Sequence, residues 1–254
     1  MYQPRSYRHW IRDADLVTFN VVVGETDLCI SAGTNLKRKA RRLVEKYRGS
    51  LEGYVERHPV FLDALEALPV DGEAPHIVKA MMEAAVRAGV GPMAAVAGAI
   101  AEFVGRELAP FTPEIIVENG GDIYLKSLKK RVVGIYAGKS PLTGQLGLEI
   151  EAADTPLGIC TSSGTVGHSL SYGRADAVIA LAGSAALADA AATAVANLIE
   201  RPADIDSGLE RARGIEGLRG VVIIIGGDMG FWGEVRVCHT APQGERPRVG
   251  STGG

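Results

Sequence analysis

Residues Ser184–Glu200 read SAALADAAATAVANLIE. The Ser184 hydroxyl is placed to accept an orphan amide, and helix-favouring alanines follow, so the stretch predicts a helix capped at Ser184 and running through Glu200. Its small side chains let it pack closely on a sheet. Asp189 and Thr193 are four apart, so both oxygens project from one face of that helix. A carboxylate and a hydroxyl one turn apart suit Mg²⁺, which fills the rest of its octahedron with water and phosphate oxygens. An acid in an early turn is equally what the helix dipole favours without any ligand. Spacing alone leaves that second reading ahead.

Upstream, Gly91–Leu108 (GPMAAVAGAIAEFVGREL) predicts a second Ala/Gly-rich helix at the centre of the fold. Leu16–Val23 and Thr26–Ala32 predict a strand pair turning at Gly24 and Glu25. Helices are expected from Thr34 to Tyr47, over Leu51–Leu68 with a restart at Pro59, and over His76–Ala88. The basic side chains from Lys37 to Arg42 read as a solvated helix face. Strands are expected at Glu114–Val117, Ile123–Leu125, Val132–Tyr136, Leu146–Ile150, Leu157–Thr161, Ala177–Ala182, Val221–Ile225 and Gly233–Val237. An apolar strand followed by Gly-Gly-Asp occurs twice, ending at Asp122 and at Asp228. Strands and helices come in mixed blocks without strict βαβ alternation. This predicts an α+β fold with a largely antiparallel sheet.

The composition sets outer limits. The chain has 254 residues, 46% of them hydrophobic, enough for one domain with a sizeable core. That domain is expected over residues 1–241, with 242–254 a Pro/Gly/Arg-rich tail. A net charge of −3 gives no electrostatic case for nucleic acid as a partner. Three cysteines without metal-ligand spacing fit free thiols. No apolar segment approaches the roughly 18 residues that span a bilayer. A cytoplasmic protein without a membrane partner is therefore expected, and a homo-oligomer is left open.

The second stretch that carries chemistry is Gly158–Val178, GICTSSGTVGHSLSYGRADAV. Thr161–Gly167 predicts a glycine-rich turn whose amides and hydroxyls face a phosphate or a ring carbonyl. His168 has the titration range of a general base, or is a histidine hydrogen-bonded within a turn; the two readings stand level. Cys160, at a strand end, reads as a small core residue. Ser162 and Ser163 lack the sharp turn of a nucleophilic serine.

Ala188–Ala194 (ADAAATA) resembles the ADALATA-type motif of the ApbE family, flavin transferases that move FMN from FAD onto a protein threonine or serine. Glu118–Ile123 (ENGGDI) resembles that family's N-x-GGD turn, and Cys160–Gly164 (CTSSG) its ATSG segment, in matching order. The resemblance spans Thr18 to Glu200. It implies an ApbE-like fold, Mg²⁺ as cofactor, FAD or FMN as ligand or substrate, and an acceptor protein as partner. It further implies Asp189, Thr193 and the Ala94 carbonyl as metal ligands, and a flavin nucleotide along Asn119, Gly120, Gly121, Asp122, Thr161, Ser162, Ser163 and Gly164. His168 is then the base.

Two departures set this chain apart. The family's D-L-G-x-x-A-K-G segment corresponds to Gly91–Gly98, with Gly91 in place of the acid and Ala97 in place of the lysine. The H-x-x-D-P-x-T-G segment is missing. A module that keeps the pocket and binds a flavin, nucleotide or other small molecule without transfer is thus the main alternative. An enzyme acting on another phosphorylated substrate and a purely structural protein are the others.

Overall fold

A computed structural model describes residues 15–164 and 173–240. Strands β1 (Val17–Val23) and β2 (Thr26–Ala32) form the first hairpin, pairing Val17 with Ala32 and Val23 with Thr26. Helices α1 (Lys37–Arg57), α2 (Val60–Asp63) and α3 (His76–Ala88) follow. A 3₁₀ turn (Pro92–Ala95) then leads into α4 (Val96–Leu108). Next come β3 (Ile115–Asn119), β4 (Asp122–Lys126), β5 (Arg131–Gly134), β6 (Leu146–Ile150), β7 (Leu157–Ser162) and β8 (Ala177–Ala182). Helices α5 (Ala185–Ala196) and α6 (Ile205–Arg213) precede β9 (Leu218–Ile225), β10 (Asp228–Gly233) and β11 (Val237–His239).

Eight strands form one sheet in the order β1-β2-β3-β4-β7-β8-β9-β10, and β11-β6-β5 form a second. Every pairing in both is antiparallel. Successive side chains point to opposite faces of a strand, which sorts the residues of the large sheet into two cores. Ile115, Val117, Tyr124 and Cys160 meet the helices. Ile116, Ile123, Leu125, Leu157 and Ile159 meet the three-stranded sheet. With both faces covered, β3 and β8 are buried along their whole length, which is why they are nearly continuous apolar runs.

Helix α5 is the central helix. It packs against α3, α4, the 3₁₀ turn, β7 and β8. Ser184 caps it as expected, accepting the Leu187 amide. Close approach to α4 depends on Gly98, where a Cβ would stand 2.2 Å from the Ala185 carbonyl oxygen.

Several element boundaries differ from expectation. Helix α1 runs unbroken to Arg57, because Tyr47, Leu51 and Tyr54 continue its buried stripe through Gly49 and Gly53. Asn35, rather than Thr34, supplies the side-chain oxygen at its start, accepting the Lys37 amide. Only one turn, α2, follows Pro59. Helix α5 ends at Ala196. The strand expected over Gly233–Val237 is replaced by β10 before it and β11 after it. The basic face of α1 is exposed and partly paired, with Arg41 on Glu45 and Arg48 between Glu25 and Glu52. Among the described residues no single helix is long and apolar enough to cross a membrane.

Candidate active site

The β3–β4 turn, the end of β7 and the first turns of α4 and α5 converge on the helical side of the large sheet. Asn119 and Asp122 face each other across the hairpin, joined by Gly120 and Gly121 at φ 71° and 114°. Both are left-handed conformations that glycine adopts without strain. The Gly121 amide donates to Glu118 Oε1 at 3.0 Å. A Cβ on Gly121 would come no nearer than 3.9 Å to another atom, so conformation rather than crowding demands the glycine.

One peptide group ties this turn to α5. The Ala97 carbonyl accepts from Asn119 Nδ2 at 3.1 Å, and the N–H of the same peptide, on Gly98, donates to Asp189 Oδ2 at 2.9 Å. First-turn amides of a helix have no partner within it. Asp189 therefore caps α4 from the neighbouring helix. Burial pushes the Asp189 carboxyl up to about 7, against the pull of the Gly98 and Ala97 amides.

Asp122 is buried, and its Oδ1 accepts the Thr161 amide at 3.2 Å. Burial first, and then the charge of Asp189, push its carboxyl well above the usual carboxylate range. Two neighbouring acids, Asp122 buried and Asp189 half-buried, resist ionising together when no cation neutralises them. Cys160, on β7 against the start of α5, has its Sγ 3.3 Å from the Ala185 carbonyl oxygen. Burial and the two acids push its thiol well up, so it is no ready nucleophile.

Ser162 lies two residues after Cys160 on the same face of β7. It is 6% exposed, and its Oγ has no hydrogen-bond partner among the described residues. Leaving a buried hydroxyl unpaired costs about 1–3 kcal/mol. Ser163 and Gly164 turn towards β8 instead, the serine Oγ and the glycine amide both reaching the Ala175 carbonyl. Thr193 is half-buried one turn beyond Asp189. Ala94 is half-buried in the 3₁₀ turn, which packs on α5. His168 lies outside the described residues.

The arrangement brings Asn119, Gly120, Gly121, Asp122, Thr161, Ser162 and Asp189 to one end of the sheet, with Ala94 and Thr193 on the elements beside them. Among the described residues no three His, Cys, Asp or Glu side chains are arranged to hold a metal ion. A cation here needs oxygens beyond the carboxylates, from a hydroxyl, a backbone carbonyl and a phosphate. That donor set of hard oxygens suits Mg²⁺.

Sequence reasoning missed Glu102. Buried at 5% exposure on α4, it accepts at Oε2 from Ser184 Oγ (2.8 Å), Ala185 N (2.8 Å) and Ala186 N (3.4 Å). The signal was present: one acid inside the apolar run AVAGAIAEFV, where an unpaired charge is too costly to bury.

A family model described as AbpE bacteria matches residues 8–231. A UPF0280 protein of Methanococcus aeolicus is 43% identical over 201 residues, covering 77% of this chain and 81% of that one. A UPF0280 protein of Methanocaldococcus jannaschii is 40% identical over 222 residues, covering 85% and 90%. Among solved structures, the apo flavinyl transferase ApbE of Pseudomonas stutzeri superposes with a TM-score of 0.56 at 15% identity, covering 86% of this chain and 94% of that one.

Proposed function

From a chain that belongs to the AbpE bacteria family and has the ApbE fold, we propose a protein that binds a flavin nucleotide with Mg²⁺ and transfers FMN from FAD to a protein hydroxyl. The observation that carries this reading is the pairing of buried Asp122 with half-buried Asp189 at the end of the sheet that holds the Ser162 hydroxyl, unpartnered among the described residues. Two neighbouring acids held above their usual range, with an unsatisfied hydroxyl at the same end of the sheet, support a site for a cation and an oxygen-rich ligand.

Asp189, Thr193 and the Ala94 carbonyl would hold Mg²⁺, which supplies charge neutralisation at the FAD pyrophosphate. Asn119–Asp122, Thr161 and Ser162 line the nucleotide, while Ser163 and Gly164, turned to the Ala175 carbonyl, do not. The Gly120-Gly121 turn brings backbone rather than side chains to it, and Ser162 donates its free hydroxyl. His168 takes the proton of the acceptor serine or threonine as its oxygen bonds to the FMN phosphorus and AMP leaves.

One observation favours a binding module without transfer. Gly91 admits no side chain at all, because a Cβ there would stand 1.7 Å from the Ala64 carbonyl oxygen. Ala97 offers only a methyl. The nucleotide therefore receives neither an acid nor a lysine from this segment. Titrating FAD, FMN and ATP with and without Mg²⁺ tests binding; the expected result is Mg²⁺-dependent affinity that falls about 10-fold or more in Asp189→Asn. Unchanged affinity in that variant sinks the metal site. Incubation with FAD, Mg²⁺ and a candidate acceptor, read by the mass of the acceptor, separates transferase from module.

A further inference from the structure

Helices α4 and α5 cap each other. Asp189 of α5 takes the Gly98 amide in the first turn of α4. Glu102, one turn along α4, takes the Ala185 and Ala186 amides in the first turn of α5, with the Ser184 hydroxyl. Gly98 to Glu102 is one helical turn, and so is Ala185 to Asp189. The two helices are therefore antiparallel and locked in register at both ends of a one-turn overlap. Gly98 lets them close, since a Cβ there would also stand 2.8 Å from Asp189 Cβ.

Arg106 at 3.2 Å holds the other oxygen of Glu102, so the capping carboxylate is itself oriented. Ser184 passes the constraint on, its Oγ accepting the Leu187 amide. A shift of α5 by a fraction of a turn breaks the Gly98–Asp189 bond and moves the Asp189 carboxylate away from Asp122 and the β3–β4 turn.

We propose that Glu102 is the positioning residue of the candidate site: by clamping the first turn of α5 it delivers Asp189 to the place where the ligand is held. Glu102 does not touch the ligand in this proposal. The inference rests on the reading of Asp189 as a ligand-binding group for its functional half, and on the clamp geometry alone for its structural half.

The test compares Glu102→Ala, Glu102→Gln and Val104→Ala in the full chain. Val104 is fully buried on the same helix and serves as a control for destabilisation without loss of the clamp. Hydrogen exchange of the Gly98 amide reports the Asp189 bond without any ligand, and titration with ATP and Mg²⁺ reports the site. Glu102→Ala should lower Gly98 protection and Mg²⁺-dependent ATP affinity by about 10-fold or more, the range for partners that orient a ligating side chain. Glu102→Gln, which keeps one amide oxygen in place, should recover most of both and covers the case in which the alanine variant does not fold. Val104→Ala should leave both within about threefold once exchange is corrected for global stability.

Gly98 protection in Glu102→Ala that merely tracks global stability, as in Val104→Ala, overturns the proposal, and so does a folded Glu102→Gln that loses Gly98 protection and ATP affinity by about 10-fold despite its retained oxygen. If Asp189→Asn leaves ATP affinity untouched while Glu102→Ala still exposes Gly98, the clamp stands and the metal reading falls.

Discussion

Two hairpins in this molecule carry the same signature, an apolar strand followed by Gly-Gly-Asp, and they have different fates. Asp122 closes the β3–β4 turn opposite Asn119, and Asp228 closes the β9–β10 turn opposite Ile225. The first hairpin lies inside the sheet between β2 and β7, under α4 and α5; the second lies at the sheet edge. Asp122 is buried beside Asp189 and accepts the Thr161 amide, whereas Asp228 is exposed. Even the glycines differ. Gly120 and Gly121 both have positive φ, while in the second turn only Gly226 does. The motif therefore makes a turn, and its position under the helices brings that turn to the candidate site.

The largest expected effect is at the glycines. Gly121→Val forces a β-branched residue to φ 114°, which costs about 1–3 kcal/mol and redirects the turn proposed to line the ligand. Gly227→Val has no positive φ to maintain and no atom within 4 Å of the added Cβ, so it should stay within about 0.5 kcal/mol. Urea denaturation measures both, and nucleotide titration should show binding lost only in the first. Equal costs would dissolve the contrast between the hairpins.

The next effect is a pH slope. Burial lifts the Asp189 carboxyl from 3.8 to about 7, and Asp122 is raised in the same direction. Between about pH 4 and pH 7 the unfolded chain has already released the Asp189 proton while the folded chain keeps it. Stability of the ligand-free protein therefore falls as pH rises through that window. Asp189→Asn should flatten the slope and raise stability at pH 8, because folding delays the ionisation of the acid and the amide has none to delay. The amide oxygen can still accept from Gly98. A slope that persists unchanged in the variant would mean that the acid pair is not what the pH acts on.

The fold was legible where pattern and burial agree. Strands β1 to β4 and the cap at Ser184 follow from alternation, apolar runs and a hydroxyl before alanines. Element boundaries went astray where glycine has two meanings. A break is expected between Tyr47 and Leu51, where Gly49 stands, yet a stripe of Tyr47, Leu51 and Tyr54 carries the helix through it. Gly230 and Gly233 obscured β10, where a Cβ on Gly230 would stand 2.3 Å from the Ile205 side chain on α6. In the site, Asp122 and Asp189 were marked by local sequence. That a single peptide group links Asn119 to Asp189, and that Glu102 returns the cap, depends on helix packing across about 80 residues of chain, and no local pattern encodes it.

The smallest expected effect sharpens the comparison most. Asp122 and Asp228 occupy the same position in the two hairpins, so any contribution of an aspartate to closing a Gly-Gly turn is common to both. Asp228 is exposed and keeps its hydration in the folded state. Asp228→Asn should therefore change stability by no more than about 0.5 kcal/mol, in line with surface substitutions away from special features. It should also leave nucleotide affinity unaltered. With the turn's own contribution near zero, whatever Asp122→Asn does to stability belongs to its burial, to Asp189 and to the Thr161 amide. A change above about 1 kcal/mol in Asp228→Asn, beyond the range of such surface substitutions, would instead show that the acid supports the turn itself. That amount would then have to be subtracted at Asp122 before any of its effect is assigned to the site.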